Sequence, residues 1–305
     1  MKIKDIEVGS LFLAPMAGVS DVGFRRVCKM LGADLTYVEM INVNALLRDN
    51  AHTKELLQTC DEETIKVVQI FGHDANVMAK AIQSEALQKF DIIDINFGCP
   101  APKIVKNGDG SALLKHLDKI ADICKTCTQA TTKPVTAKIR IGFDEGENVA
   151  VQVAQICEQN GISAITVHGR TRAQMYSGDV DYQTIKKVKQ SVSIPVIGNG
   201  NVFDKQSYEK MLSTGVDGVM IARGALGKPW IFSELKGLSL PNKFDVIKCH
   251  VDTLKKYYSE EELCITLRKH FLWYTKDVPG TAKYRLQLAT TKSLNESLDI
   301  LKSLF

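Results

Sequence analysis

Hydrophobic and polar positions along the chain follow a repeating pattern, in which short apolar runs alternate with longer segments of helical spacing. The apolar runs lie at 11–15, 35–40, 65–72, 92–98, 134–142, 164–170, 194–201 and 218–225. Near-continuous apolar strands that alternate with helices are typical of a parallel sheet covered on both faces. Eight such units favour a closed (β/α)8 barrel, a TIM barrel of the α/β class, over an open sheet.

The alternation stops near residues 235–245, and the chain beyond shows only helical spacing. The pattern therefore predicts a barrel over 1–240 and a small all-helical C-terminal domain over 241–305. The second segment contains eleven basic and eight acidic residues, so most of the net charge of +4 lies in it. A mildly basic helical surface suits a polyanionic partner, although an ordinary solvated face explains the charge almost as well.

Composition narrows the class of protein. With 45% hydrophobic and 24% charged residues and no low-complexity block, the chain is expected to be globular. It shows no signal peptide and no apolar segment of about 18 residues, so we expect a cytoplasmic protein without a membrane span. We also expect a monomer. Among its eight cysteines only Cys124 and Cys127 are closely spaced, and no second pair accompanies them. The sequence thus predicts reduced thiols and no structural metal.

Candidate chemistry concentrates where the predicted strands end, which is the catalytic face of such barrels. Gly-rich turns at 198–201 and 222–227 follow the last two strands and are suited to a phosphate group. Lys138 ends the fifth strand between apolar neighbours and needs an anionic partner, for which a reduced flavin is one candidate. His168 lies in the segment HGRTR, where ligand contact is a better interpretation than a core imidazole.

Cys99 directly follows a predicted strand, between Gly98 and Pro100, with no second thiol nearby. A nucleophilic cysteine needs a neighbouring base, whereas a protonated thiol with a pKa near 8.5 can act as a general acid. The residues alone leave both roles open. The following loop at 101–110 contains Lys103 and Lys106 and is able to close over a substrate.

Seven motifs occur in an order that resembles one known family. They are LAPMAGVSDVGFR at 13–25, VVQIFG, DINFGCPAPK, KIRIGFD, TVHGRTRAQMYSG, VIGNGNV and ARGALGKPWIF. Together they resemble the tRNA-dihydrouridine synthases of bacterial type, from about residue 3 to residue 233. RKHFLWY at 268–274 resembles the helical tail of the same family.

The resemblance implies an enzyme that binds FMN on the barrel, uses NADPH as reductant and reduces uridines in the D-loop region of tRNA. Hydride goes to C6 of the uracil, and Cys99 protonates C5. Asn96 would contact the uracil, and Arg170 and Lys103 are further candidates for substrate contact. The implied FMN contacts are Pro15, Met16 and Ala17 behind the ring, Gln69, Lys138 and His168 at the ring or ribityl chain, and Asn199, Gly200, Asn201, Ala222, Arg223 and Gly224 at the phosphate.

Three other functions remain as alternatives. A flavin-dependent ene-reductase of a free pyrimidine would reduce uracil itself and would not need the helical tail. An isomerase of a phosphorylated substrate would use the same barrel without flavin. A non-catalytic RNA-binding protein would bind tRNA and form no dihydrouridine.

Overall fold

Eight parallel strands form the centre of the computed structural model, which describes all 305 residues. They are β1 Leu11–Leu13, β2 Ile41–Asn42, β3 Val67–Phe71, β4 Ile92–Phe97, β5 Val135–Arg140, β6 Ile165–His168, β7 Val196–Asn199 and β8 Gly218–Ile221. Each strand from β2 to β7 pairs with the strand that follows it in the chain, and β8 also pairs with β1. Single bridges from Phe12 to Leu35 and from Tyr37 to Val67 close the remaining gap. The predicted eight-stranded barrel is confirmed.

The second strand differs from its prediction at 35–40. Only Ile41–Asn42 forms a regular strand, while the residues before it make isolated bridges. Leu35 accepts a hydrogen bond from the Leu13 amide at 2.9 Å, and Val38 donates to the Val67 carbonyl at 3.0 Å. The segment before β2 thus makes one hydrogen bond to β1 and one to β3. These single bonds close the barrel where a continuous ladder is missing.

Side chains inside the barrel change from apolar to polar along its axis. Near the amino ends of the strands a small apolar cluster includes Phe12, Val67, Ile92 and Ile197, and Ile3 packs into it. Ile3 belongs to a short antiparallel hairpin, Lys2–Ile3 with Ile6–Glu7, at the start of the chain. Because inward positions recur every second residue, the polar residues further along each strand project into the same interior.

Helices cover the outside of the barrel and continue into the tail. The helices of the barrel region are α1 Val22–Met30, α2 Val43–Leu47, α3 Ala51–Leu56, α4 Ala75–Gln83, α5 Glu85–Gln88, α6 Pro102–Lys106, α7 Leu117–Gln129, α8 Ala150–Gln159, α9 Tyr182–Ser191, α10 Lys205–Leu212 and α11 Ile231–Lys236. The tail contains α12 Lys243–Leu254, α13 Glu260–Tyr274, α14 Ala282–Thr290 and α15 Leu294–Leu304. None of these helices is both long and apolar enough to cross a membrane.

The tail shares one apolar core with the barrel helices. Val246, Ile247 and Val251 of α12 are buried in the same cluster as Phe24 and Val27 of α1. The two helices approach so closely that a Cβ at Gly23 would lie 2.6 Å from the His250 ring. The predicted boundary at 240/241 lies between α11 and α12. The tail is therefore packed tightly onto the barrel.

Candidate active site

A cavity of about 570 Å³ opens at the carboxyl ends of the strands. Cofactor pockets usually span about 300–1,000 Å³, so a tricyclic ring fits this volume. Fourteen of the residues predicted from the sequence line it: Pro15, Met16, Ala17, Gln69, Asn96, Cys99, Lys138, His168, Asn199, Gly200, Asn201, Ala222, Arg223 and Gly224.

Lys103 and Arg170 are not brought to the cavity wall. Lys103 is exposed on α6, next to the wall residue Pro102. Arg170 is buried and donates hydrogen bonds to the carbonyls of Ser177, at 2.9 Å, and Gly178, at 2.6 Å. Its guanidinium therefore supports the loop after β6. Contact of these two residues with a substrate stays a prediction.

The backbone on both sides of Cys99 is held by hydrogen bonds. Asn96 Oδ1 accepts from the amides of Gly98, at 3.0 Å, and Cys99, at 2.8 Å. The Cys99 carbonyl accepts from the Ser111 hydroxyl at 2.8 Å, and Arg140 Nε donates to the Gly98 carbonyl at 2.9 Å. Because four hydrogen bonds fix this short turn, the direction of the Cys99 side chain is defined before any ligand binds.

The surroundings of the Cys99 thiol favour its protonated form. Burial raises its pKa, and this effect outweighs the opposite effects of the Ala101 amide, Lys138 and Arg140. A thiol with a raised pKa is a poor nucleophile at neutral pH and keeps its proton available. A raised pKa suits a general acid better than a nucleophile, and the catalytic role of Cys99 stays a prediction.

A chain of buried polar side chains runs beneath Cys99. Asn96 Nδ2 donates to Gln69 Oε1 at 2.8 Å, and Gln69 Nε2 donates to Asp94 Oδ2 at 2.6 Å. Thr136 donates its hydroxyl to Asp94 Oδ1 at 2.6 Å. Burial raises the pKa of Asp94 to about 6. Asp94 and Thr136 were not among the residues predicted from the sequence, although Asp94 precedes Asn96 by two positions and so projects from the same face of β4.

The cavity lining includes Lys138, Arg140 and Arg223 but no carboxylate. Burial lowers the pKa of Lys138 to about 8, and Arg140 adds to this effect, while Asp94 and Cys99 oppose it. Burial also lowers the pKa of His168 well below its usual value, and Arg140 and Lys138 add to that shift. The neutral His168 ring has a buried Nδ1 without a hydrogen-bond partner. A polar, electron-rich ligand such as a flavin fits these groups.

The two predicted phosphate turns meet at the other end of the cavity. Gly200 has φ +132° and Asn201 has φ +51°, and neither backbone N–H has an acceptor within the chain. Arg223, at the start of a short 3-10 turn to Ala225, donates from Nη2 to Asn201 Oδ1 at 3.0 Å. Two free amides beside a guanidinium are suited to a phosphate.

Exposed aromatic side chains at the cavity mouth were missed by the sequence reasoning. Tyr176 is 52% exposed, and the Arg223 guanidinium carbon lies 4.7 Å from its ring centroid. Phe203 is 43% exposed, with the same guanidinium carbon 5.9 Å from its ring centroid. Aromatic rings beside arginine can stack on unpaired nucleobases. The only sign of them in the sequence was that each is an aromatic residue in a glycine-containing loop that follows a strand.

Comparison with known proteins gives the family of the chain. A family model described as dihydrouridine synthase (Dus) matches residues 12–305. The chain is 39% identical to tRNA-dihydrouridine synthase B of Pasteurella multocida, over 97% of this chain and 92% of that protein. It is 42% identical to tRNA-dihydrouridine synthase B of Shewanella oneidensis, over 87% of this chain and 85% of that protein.

A solved structure of histamine dehydrogenase from Rhizobium sp. 4-9 shares the fold. Its TM-score is 0.60 at 10% identity, covering 77% of this chain and 48% of that chain. At this identity the likeness concerns the barrel architecture alone. The match to the family model and to the relatives decides the assignment: the chain belongs to the dihydrouridine synthase family, flavin oxidoreductases that reduce uridines in tRNA.

Proposed function

We propose that this protein binds FMN in the cavity, takes reducing equivalents from NADPH, and converts uridines in the D-loop region of tRNA to 5,6-dihydrouridine. The observation that carries the proposal is the composition of one cavity wall. It combines the Cys99 thiol, the Lys138 cation and the two phosphate turns. A flavin-dependent reductase of a free pyrimidine would need all three features as well, so the choice of tRNA rests on the family.

The cavity lining includes groups suited to the ring of FMN and to its phosphate. Pro15, Met16 and Ala17 supply an apolar wall for the ring, and Lys138 and His168 supply polar contacts near it. Gly200, Asn201 and the turn at 222–224 would hold the phosphate. When bound, the flavin supplies the hydride that goes to C6 of the uracil.

Cys99 completes the reduction by donating its proton to C5, so that the C5–C6 double bond becomes single. The raised pKa keeps the thiol protonated until the adjacent carbon becomes basic. The thiolate formed beside Lys138 and Arg140 then regains a proton from water. The hydrogen bonds of the turn keep the sulfur in one place through the cycle.

The tRNA would contact the cavity mouth and the tail. A uridine inside folded tRNA must be unstacked to reach a flavin, and the exposed rings of Tyr176 and Phe203 can stack on nucleobases near it. We assign catalysis to 1–240 and tRNA recognition to the basic helical region 241–305, with Lys103 and Arg170 as further candidates for contact. A tRNA substrate implies a cytoplasmic location, and a cavity lined by a single chain suits a monomer.

The decisive experiment incubates the purified protein with FMN, NADPH and tRNA transcribed in vitro, which contains no dihydrouridine. We expect dihydrouridine by mass spectrometry of the digested tRNA, with faster turnover from NADPH than from NADH. Parallel reactions with free uracil and uridine should give no product. Reduction of free uracil at a comparable rate would favour the pyrimidine reductase instead, and tRNA binding without product would favour the non-catalytic alternative.

A further inference from the structure

Asp94 is a buried titratable residue that the proposed mechanism does not use. It is 1% exposed and lies on β4 beneath the cavity, without lining it. It stands in register with Gln69 on β3 and Thr136 on β5. Its Oδ2 accepts a hydrogen bond from Gln69, and its Oδ1 accepts one from Thr136. An ionised carboxylate can only accept hydrogen bonds.

This restriction fixes the orientation of the Gln69 carboxamide. Gln69 must direct its NH2 group toward Asp94, so its oxygen faces Asn96. With that oxygen as the acceptor, Asn96 must direct its own NH2 group toward Gln69. The reversed orientation of either amide would place two acceptors or two donors against each other.

The same restriction then reaches the Cys99 turn. Once the Asn96 NH2 group faces Gln69, its Oδ1 faces the backbone amides of Gly98 and Cys99 and accepts from both. A flipped Asn96 would direct donors at these two donors and would release the turn. One buried carboxylate therefore determines which way two carboxamides point and whether the turn is closed.

We propose that Asp94 is a positioning residue, which acts through Gln69 and Asn96 to hold the Cys99 thiol in place for proton donation. The inference rests on the proposed function and extends it to a residue that touches neither flavin nor uracil. It also explains why an acid is buried in the centre of a barrel, where an apolar side chain would avoid the cost of desolvation.

The test compares Asp94→Leu with Asp94→Asn. Leucine removes the acceptor, whereas asparagine can direct its oxygen to Gln69 and its NH2 group to the Thr136 hydroxyl. Since small displacements of a catalytic group can cost about 100-fold, we expect dihydrouridine formation to fall by about 100-fold in D94L but by less than about 5-fold in D94N. The KM for tRNA and the rate of flavin reduction by NADPH should change by less than about tenfold, a smaller effect than on dihydrouridine formation, because D94L also loosens Gln69 and Asn96, the candidate contacts of flavin and uracil.

Thr166→Val serves as the matched control. Thr166 is also buried inside the barrel, on β6, but does not bond to Gln69 or Asn96. A second readout needs no tRNA. In the FMN-loaded enzyme, alkylation of Cys99 by iodoacetamide, followed on its tryptic peptide, should be faster by about tenfold in D94L and unchanged in D94N and T166V.

Should D94L fail to fold, a pair of polar variants tests the same point. In Gln69→Glu, the new carboxylate faces the Asp94 carboxylate. In the double variant D94N/Q69E, the NH2 group at position 94 can donate to the carboxylate at position 69, whose other oxygen can still accept from Asn96. Both variants carry the same substitution at position 69, so any effect of that change on flavin cancels, and we expect the double variant to be faster than Q69E by about tenfold.

Wild-type turnover in D94L, parallel loss of flavin reduction and dihydrouridine formation, or no recovery in the double variant would overturn the proposal. A wild-type enzyme that forms no dihydrouridine would instead overturn the proposed function. In that case the alkylation rates still decide whether Asp94 holds the turn.

Discussion

Cys99 illustrates how much a single residue's role depends on its surroundings. Its position after a strand, between Gly98 and Pro100, marked it in the sequence as a candidate for catalysis. The preference for an acid over a nucleophile depends on the burial of the thiol, which raises its pKa. Burial of this kind is produced by residues distant in the chain, so it could not be predicted from the motif alone. The contribution of Asp94 was hidden for the same reason.

Replacement of Cys99 by alanine should remove the proton donor and leave the cofactor site intact. We expect dihydrouridine formation to fall by about 10²–10⁴-fold, which is the usual contribution of a general acid. FMN affinity and flavin reduction by NADPH should stay near wild-type values. Rapid-mixing absorbance and product analysis separate the two half-reactions. Cys249→Ala, a partly buried thiol on α12 outside the cavity wall, is the control and should retain full activity.

The sequence predicted some strands of the barrel more accurately than others. The apolar runs at 92–98 and 134–142 became β4 and β5 with small changes at their ends. The run at 35–40 was equally apolar, but its hydrogen bonds alternate between two neighbours, which apolar content does not reveal. The phosphate turns were predicted from glycine alone. The structure adds the reason, because Gly200 adopts a left-handed conformation that leaves its N–H free.

The turn after β7 should lose FMN affinity when Gly200 is replaced by alanine. A Cβ there would lie 2.9 Å from Val180, and φ +132° is strained for any other residue. Strain of about 1–3 kcal/mol would relax by moving the amides away from the phosphate, so the Kd for FMN should rise by about tenfold or more. Quenching of flavin fluorescence measures it.

Gly215→Ala is the matched control for that variant. Gly215 has φ +84°, and no atom lies within 4 Å of a Cβ built on it. It should lower the melting temperature by no more than Gly200→Ala does, because only the backbone strain is shared, and it should leave the Kd for FMN unchanged. Equal losses of affinity in both variants would show that the turn after β7 has no special part in FMN binding.

At the scale of the whole molecule, a buried polar cluster joins tail and barrel. Asp21, which caps α1, contacts His250 Nε2 at 3.0 Å and His270 Nε2 at 3.1 Å. The first contact is a hydrogen bond, whereas the second is close but poorly aligned. Tyr274 contacts the other nitrogen of His250 at 3.0 Å. The sequence predicted the helices of the tail but gave no indication of this cluster, since Asp21 is far from the other members in the chain. We call the cluster of Asp21, His250, His270 and Tyr274 the joint.

The joint should make the protein sensitive to acid. Burial lowers the pKa of His270 to about 4 from its ordinary 6.5, so between these values the unfolded state binds more protons than the folded state. Stability should therefore fall as pH decreases from 6.5 toward 4, by at most about 3 kcal/mol from this residue. Burial alone would raise the pKa of Asp21, but His250 and His270 lower it well below the usual value, so its contribution is lost only below about pH 4.

Thermal unfolding between pH 7 and pH 4.5 measures the effect. His270→Gln cannot titrate and should show a smaller decrease in melting temperature over this range than the wild type. His52→Gln changes an exposed histidine, 77% accessible at the side chain, and should keep the wild-type slope. Identical slopes in all three proteins would mean that His270 does not report on the joint.

The tight packing of the tail on the barrel also has a consequence for which nucleotide of the tRNA is reduced. Asp21 follows the loop that begins with the cavity residues Pro15, Met16 and Ala17, so the joint ties that rim directly to α12 and α13. Because tail and barrel share one apolar core, the fold sets the distance between the outer surface of the tail and the floor of the cavity. If the tail docks the RNA, as we propose, the uridine that is reduced is the one that lies at this distance from the docked part of the RNA.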